Sequence, residues 1–294
     1  MAARIGILGG TGQIAMSVAR HLGDDFDVLL YSRNPAEPSG TQKSRIQHLP
    51  LEQFGCEPVD LVVNAIGAGD PARIRSAGGH IRAITRYFDD LAMAHIGKTF
   101  DKYIFLSSVS VYGDNPVFPV CPNTLRASDS PKRSDYGEAK REAEERHERH
   151  GGPIVDLRVF GYVSPRVPLN SGFLLGKIFA TTAGAQPFSP EGPDFVRDYI
   201  GPSYLSDIFK SVLAGTPENQ RMDAISRQPT SRNRILAEME SSYGLKIIWN
   251  CPEDRLLIEE IPSASTIAHS WHFPERASSI EVVMSAASEV LACP

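Results

Sequence analysis

Residues 4–15 read RIGILGGTGQIA, and the fold turns on how this stretch changes character at its centre. Ile5, Ile7 and Leu8 make a short apolar strand that ends on Gly9 and Gly10. Residues 13–23, QIAMSVARHLG, then put Ile14, Val18, Ala19 and Leu22 on one helical face, with Gly23 as the stop. Gly9 permits the tight turn between strand and helix, and Gly12 lets an anionic group approach the backbone closely. Ala15 is small enough for the helix to lie against the strand. Because the first amides of a helix favour an anion, this strand–loop–helix unit implies a dinucleotide pyrophosphate held by Gly9, Thr11, Gly12, Gln13 and Ile14.

Working outward, further apolar strands follow at FDVLLYSR, VDLVVNAIG, KYIFLSSVSVYG and PIVDLRVFG. Helical spacing separates the last three, in IRAITRYFDDLAMAHIG (Ile81, Ile84, Phe88, Leu91, Ala92) and in the charged run YGEAKREAEERHERHGG. Alternating helices and near-continuous apolar strands predict a parallel sheet covered on both faces, a Rossmann-type doubly wound α/β fold. With 294 residues, 41% hydrophobic and 22% charged, the chain has the composition of an ordinary globular protein. A net charge of −5 provides no broad footprint for nucleic acid or anionic membrane. No apolar run is long enough to span a bilayer. Cys56, Cys121, Cys251 and Cys293 lack CxxC or zinc-like spacing, which reads as reduced thiols in a cytoplasmic protein. The start runs into the glycine loop within ten residues, leaving no room for a signal peptide.

The second strand bears on the cofactor. An NAD site expects an acidic residue at its end for the ribose 2′-hydroxyl; here it ends Tyr31-Ser32-Arg33-Asn34. Ser32 can hydrogen-bond a 2′-phosphate, and Arg33 can pair with it and stack on adenine. The expectation is NADP(H), with NAD(H) as the alternative.

SDYGEAK at 134–140 sets Tyr136 and Lys140 one helical turn apart, where a cation can stabilise phenolate. Chance alone supplies about 0.25 such pairs in a chain of this composition, so the pair takes its meaning from its surroundings. The chain resembles the extended short-chain dehydrogenase/reductase group, the NAD-dependent epimerase/dehydratase family, in GGTGQIA (9–15), DLVVNAIG (60–67), LSSVSVYG (106–113), SDYGEAK, LRVFGYVSP (157–165) and VRDYIGPSYLSDI (196–208). The resemblance implies Ser108, Tyr136 and Lys140 as catalytic residues: Ser108 holds a substrate carbonyl, Tyr136 is the proton donor, and Lys140 binds the nicotinamide ribose and lowers the tyrosine pKa. It also implies that Ala65, Tyr136 and Lys140 line the cofactor, and that Ser108, Ser110, Asn170 and Arg197 contact a small-molecule substrate, expected to be a nucleotide sugar. A surface ion pair with Asp198 or another acid is the alternative for Arg197.

Three departures matter. Val109-Ser110 stands where the family's dehydratases carry an Asp-Glu pair, so dehydration has no evident carboxylates. Gly161 occupies the place of an Asn that contacts a nucleotide diphosphate. His147 and His150 have a metal-like spacing, but Glu142–Arg146 and Glu145–Arg149 read as ordinary pairs on a solvated helix face, and no metal is expected.

Beyond Pro165 the alternation fades into a Pro- and Gly-rich stretch with one apolar helix near Phe173–Ala180, then amphipathic helices in RILAEMESSYG and EVVMSAASEVLA; SWHFPER near the end reads as packing. Residues 1–165 are expected to form the NAD(P)-binding domain, with 195–215 packing back onto it, and 166–294 mainly a smaller substrate domain. The expected function is an NADPH-dependent ketoreductase reducing the 4-keto group of a nucleotide-linked deoxysugar. A nucleotide-sugar 4-epimerase with tightly bound NAD is the enzyme alternative, and a non-catalytic NADP-binding regulator the other. The resemblance also admits a homodimer through the helices at about 81–97 and 136–149, although the second is highly charged.

Overall fold

Strand β1 (Arg4–Leu8) lies in the interior of a sheet whose order is β3-β2-β1-β4-β5-β6-β8, every neighbouring pair parallel, in a computed structural model of the chain. The structure describes residues 2–35, 45–67, 76, 78–113, 132–216, 218–251, 254 and 276–292. Cys121, Cys293 and residues 270–275 of the SWHFPER stretch lie outside the described residues.

The other strands are β2 (Asp27–Ser32), β3 (Ile46–Pro50), β4 (Leu61–Asn64), β5 (Tyr103–Ser108), β6 (Ile154–Val159) and β8 (Gln220–Ala224). Helix α1 (Gln13–Leu22) packs on one face of the sheet with α5 (Pro202–Ala214). Helices α2 (Ile81–Met93) and α3 (Asp135–His150) cover the other face. Chain order reverses between β1 and β4, which opens a crevice at the carboxyl ends of the strands, where ligands of open α/β sheets bind.

A second core gathers Val163, Leu175, Ile178 and Phe179 with Ile235, Leu236, Met239 and Val283. It is built from α4 (Leu174–Ala183), α6 (Arg232–Tyr243) and α7 (Ser279–Ala292). A two-stranded antiparallel ribbon, β7 (Val196–Arg197) with β9 (Thr230–Ser231), completes the carboxy-terminal half. Between these pieces the chain returns to the first layer, because α5 joins the sheet core through Leu205, Ile208, Phe209 and Val212.

Both sheet edges differ from the sequence reading, which marks neither β3 nor β8. Edge strands are short and half-solvated, so IQHLP and QRMDA carry polar residues where the central strands are apolar. Among the described residues, no helix is long and apolar enough to cross a membrane.

Candidate active site

The glycine loop is built by close approach. Gly9 has φ +86°, a left-handed conformation that a side chain would strain. A Cβ on Gly10 would sit 2.7 Å from Leu30 Cβ, and one on Gly12 would sit 3.1 Å from the Gly9 carbonyl oxygen. The Gly9 and Gly10 amides both donate to the Tyr31 carbonyl, at 3.0 and 2.9 Å, which draws the loop onto the end of β2. Gly12 caps α1 without a side chain, and the first turn carries no acid. The helix therefore presents bare amides to an anion. Thr11 is exposed and Ile14 half-buried, while Gln13 Nε2 reaches Ser164 Oγ at 3.4 Å. Ala65 is half-buried at the end of β4, its amide held by the Leu8 carbonyl at 3.0 Å.

Ser32 is buried at the end of β2, and its Oγ has no hydrogen-bond partner among the described residues. Arg33 beside it is exposed. A buried hydroxyl and a guanidinium at adjacent positions offer a ligand oxygen a hydrogen bond and a countercharge. The cradle, the bare helix end and this strand end fit a dinucleotide.

On the neighbouring strand, Ser108 ends β5. Its Oγ accepts the Ser110 amide at 3.2 Å and donates to Ser110 Oγ at 3.3 Å. The short helical turn Val109–Tyr112 follows, and α3 packs onto it. Helix α3 starts at Ser134, whose Oγ accepts the Gly137 amide at 3.3 Å, and it ends at Gly151 with φ +66°. Tyr136 in the first turn is half-buried, with Ser108 as its polar neighbour. Burial pushes the Tyr136 phenol above its ordinary pKa, and Ser108 pulls it back.

One turn on, Lys140 is buried, with Nζ donating to the Leu106 carbonyl at 2.7 Å and standing 4.3 Å from the Phe105 ring centroid. It is 5.8 Å from the Tyr136 ring centroid. Burial lowers the Lys140 pKa to about 8, against the opposing pull of Asp89, Glu144 and Asp156. In the protein alone, then, Ser108 is the group that lowers the Tyr136 pKa, while the Lys140 ammonium is engaged by the end of β5.

Ser108, Ser110, Tyr136 and Lys140 are thus brought together. Asn170 is exposed in the turn before α4, and Arg197 is exposed on β7 with its guanidinium 4.6 Å from the Phe195 ring centroid. Among the described residues, no hydrogen bond or ring contact joins either to the Ser108 group. Arg197 does not pair with Asp198, which turns inward to accept the Ser226 amide at 2.8 Å. A pocket of about 420 Å³ opens elsewhere, between α1, α5 and α7, and none of Ser108, Tyr136 or Lys140 lines it.

The packing reason for two glycines near the site escapes a reading of the sequence. Gly137 is needed because a Cβ there would meet the Ser110 carbonyl oxygen at 2.5 Å; its place inside SDYGEAK is the only signal. Gly161 is equally constrained, since a Cβ would lie 2.4 Å from the Asp198 carbonyl oxygen. The missing Asn is therefore a consequence of how β6 meets the 198–200 segment.

The HERH reading needs correction. His147 is fully buried, with Nε2 2.8 Å from Asp89 Oδ1 and Nδ1 2.5 Å from Asp156 Oδ1. Glu142 pairs with Arg82, and Arg146 pairs with Asp89 at 2.6 Å. Glu145 pairs with Arg141, and Arg149 donates to the Glu145 backbone carbonyl. The cause is tertiary: α2 and β6 supply carboxylates to a helix face that spacing alone assigns to water. Among the described residues, no group of three or more His, Cys, Asp or Glu could hold a metal ion.

A family model described as the NAD dependent epimerase/dehydratase family matches residues 5–186. The chain belongs to this family. It is accordingly an NAD(P)-dependent enzyme, with a nicotinamide dinucleotide as cofactor. No curated protein matches the chain by sequence. Solved structures of the epimerase/dehydratase fold do match. A UDP-N-acetylglucosamine 4-epimerase from Methanobrevibacter ruminantium, in complex with UDP-N-acetylmuramic acid, is similar with TM-score 0.74 at 18% identity, covering 99% of each chain. A UDP-glucuronic acid 4-epimerase from Bacillus cereus, in complex with UDP-glucuronic acid and NAD, gives TM-score 0.69 at 16% identity, covering 99% of this chain and 100% of that one. RMD from Pseudomonas aeruginosa, complexed with NADPH, gives TM-score 0.72 at 15% identity, covering 99% of each. At these identities the likeness to solved structures speaks for the fold.

Proposed function

We propose that this epimerase/dehydratase-family enzyme is an NADPH-dependent ketoreductase acting on the 4-keto group of a nucleotide-linked deoxysugar. The observation that carries the reading is the gathering of Ser108, Tyr136 and Lys140 at the strand edge beside the glycine loop, with Val109 and Ser110 where a dehydratase would need carboxylates. When bound, the nicotinamide supplies the hydride. Ser108 Oγ orients the substrate carbonyl oxygen, and Tyr136 Oη delivers its proton as negative charge develops there. Lys140, buried beneath, would hold the nicotinamide ribose. Ser32 and Arg33 at the end of β2 support NADP(H) over NAD(H), since they offer a phosphate its hydrogen bond and countercharge and no acid repels it. Ser110, Asn170 and Arg197 would contact the substrate, and the second core beyond residue 166 would shape its pocket. A homodimer through α2 and α3 belongs to the same reading.

A 4-epimerase with tightly held NAD is the second reading, favoured by the 4-epimerases among the similar structures. One experiment separates them. The purified chain is incubated with a panel of nucleotide 4-keto sugars plus NADPH or NADH, and with nucleotide 4-hydroxy sugars without added cofactor. Stoichiometric NADPH oxidation that Tyr136→Phe abolishes supports the reductase. Interconversion of 4-hydroxy epimers by enzyme that purifies with NAD overturns it.

A further inference from the structure

Behind the Ser108 group, a chain of buried polar side chains runs from α3 to the turn after β4. His147 has a carboxylate against each ring nitrogen, so both nitrogens donate and the ring is an imidazolium. Asp89, fully buried on α2, takes Nε2 of His147 on Oδ1 and Arg146 Nη2 on Oδ2 at 2.6 Å, and it is ionised between these two cations. A carboxylate only accepts. The Tyr103 hydroxyl, 3.0 Å from Asp89 Oδ1, must therefore spend its one proton there. Its oxygen is left to accept from Asn64 Nδ2 at 2.9 Å. That fixes the flip of the Asn64 amide and leaves Oδ1 to accept the Ile66 amide at 3.1 Å. The turn thus held is the one that leads to Gly67, whose Cβ position would lie 3.5 Å from Lys140 Nζ.

We propose that Asp89, Tyr103 and Asn64, with His147 behind them, are positioning residues that set the shape of the Ala65–Gly67 turn for the nicotinamide half of the cofactor. The inference rests on the reading that Lys140 and this strand edge hold that half. The polarity of the chain is what matters. With an amide in place of Asp89, Tyr103 can accept from it and give its own proton to Asn64 Oδ1. The Asn64 amide then turns its Nδ2 to the Ile66 amide, donor against donor, and the turn is released.

The test measures binding of NADPH, NADH and ADP by titration calorimetry to the full-length chain, Asp89→Asn and Tyr103→Phe, with thermal melts alongside. ADP carries only the adenine half. A loss of dinucleotide affinity of about tenfold in both variants, with ADP affinity within about twofold of wild type, supports the proposal. Lowered melting temperature with unchanged dinucleotide affinity, or equal losses for dinucleotide and ADP, overturns it. Should both variants fail to fold, amide hydrogen exchange in the wild type decides: Ile66 should exchange at least tenfold more slowly than Gly67, and equal rates overturn the device. A wild-type chain that binds neither dinucleotide refutes the cofactor reading and the inference together, and this failure is seen before any substitution is made.

Discussion

Gly137 and Ser110 meet so closely that a methyl group on the glycine would lie 2.5 Å from the Ser110 carbonyl oxygen. This contact seats the first turn of α3 on the Val109–Tyr112 turn, and so brings Tyr136 to Ser108. Gly137→Ala should keep the fold, because alanine favours a helix by about 1 kcal/mol over glycine. It should nonetheless push the start of α3 outward and lower kcat by roughly ten- to a hundredfold, the penalty of misplacing a reacting group by about 1 Å. Circular dichroism together with steady-state kinetics checks both halves; undiminished kcat would remove Gly137 from the site.

Gly161→Asn restores the side chain that family members place after β6, and it should not restore a diphosphate contact. The new Cβ would have to displace the Asp198 carbonyl oxygen, 2.4 Å away, at a cost of about 1–3 kcal/mol from overpacking. The expected result is a melting temperature lower by several degrees with no gain in nucleotide-sugar affinity. Tighter substrate binding in the variant would show that the backbone can yield.

Ser32→Asp tests the cofactor preference. The buried Ser32 Oγ has no partner among the described residues, and a carboxylate in its place would repel a 2′-phosphate while accepting from a ribose hydroxyl. The ratio of kcat/KM for NADPH to that for NADH should fall by at least about tenfold, equivalent to about 1.4 kcal/mol. Equal losses with both cofactors would mean that Ser32 serves packing alone.

The glycine loop and the Tyr136–Lys140 offset are readable from the sequence because each rests on local geometry, whereas Ser108 enters only through the family resemblance. A left-handed Gly9, a bare helix end and a four-residue helical offset need nothing from distant segments. The buried face of α3 is illegible for the opposite reason. Lys140, Glu144 and His147 form a stripe toward the sheet, yet they are the residue types expected in water. What makes them core residues comes from elsewhere: the Leu106 carbonyl for Lys140, Arg158 and Ser107 for Glu144, Asp89 and Asp156 for His147. Strands β3 and β8 are missed in the same way, since only their neighbours in the sheet make polar IQHLP and QRMDA into strands.

His147 makes this buried face sensitive to pH. The groups around it are Asp89 with Arg146 on the α2–α3 side, Tyr103 on β5, Asp156 on β6, Lys140 and Glu144 on its own helix, and Arg221 on β8. Burial alone would lower the His147 pKa, but the hydrogen bonds its ring donates to Asp156 and Asp89 overcome it and raise the value from 6.5 to about 9. A histidine whose pKa is raised on folding stabilises the native state fully below its unfolded pKa, and that contribution is lost as pH rises through the folded value. Burial raises Asp156 to about 6, so its influence is spent by the start of this window. Lys140, lowered to about 8, acts in the opposite direction only above that pH. The interval from about pH 6.5 to 8 therefore belongs to His147, and the free energy of unfolding should fall there by on the order of 1–2 kcal/mol. Urea titrations across this interval should show the decline in the wild type and a flat profile in His147→Gln. Parallel slopes in the two proteins would mean that the imidazole is neutral across this interval, leaving Arg146 as the cation that keeps Asp89 ionised.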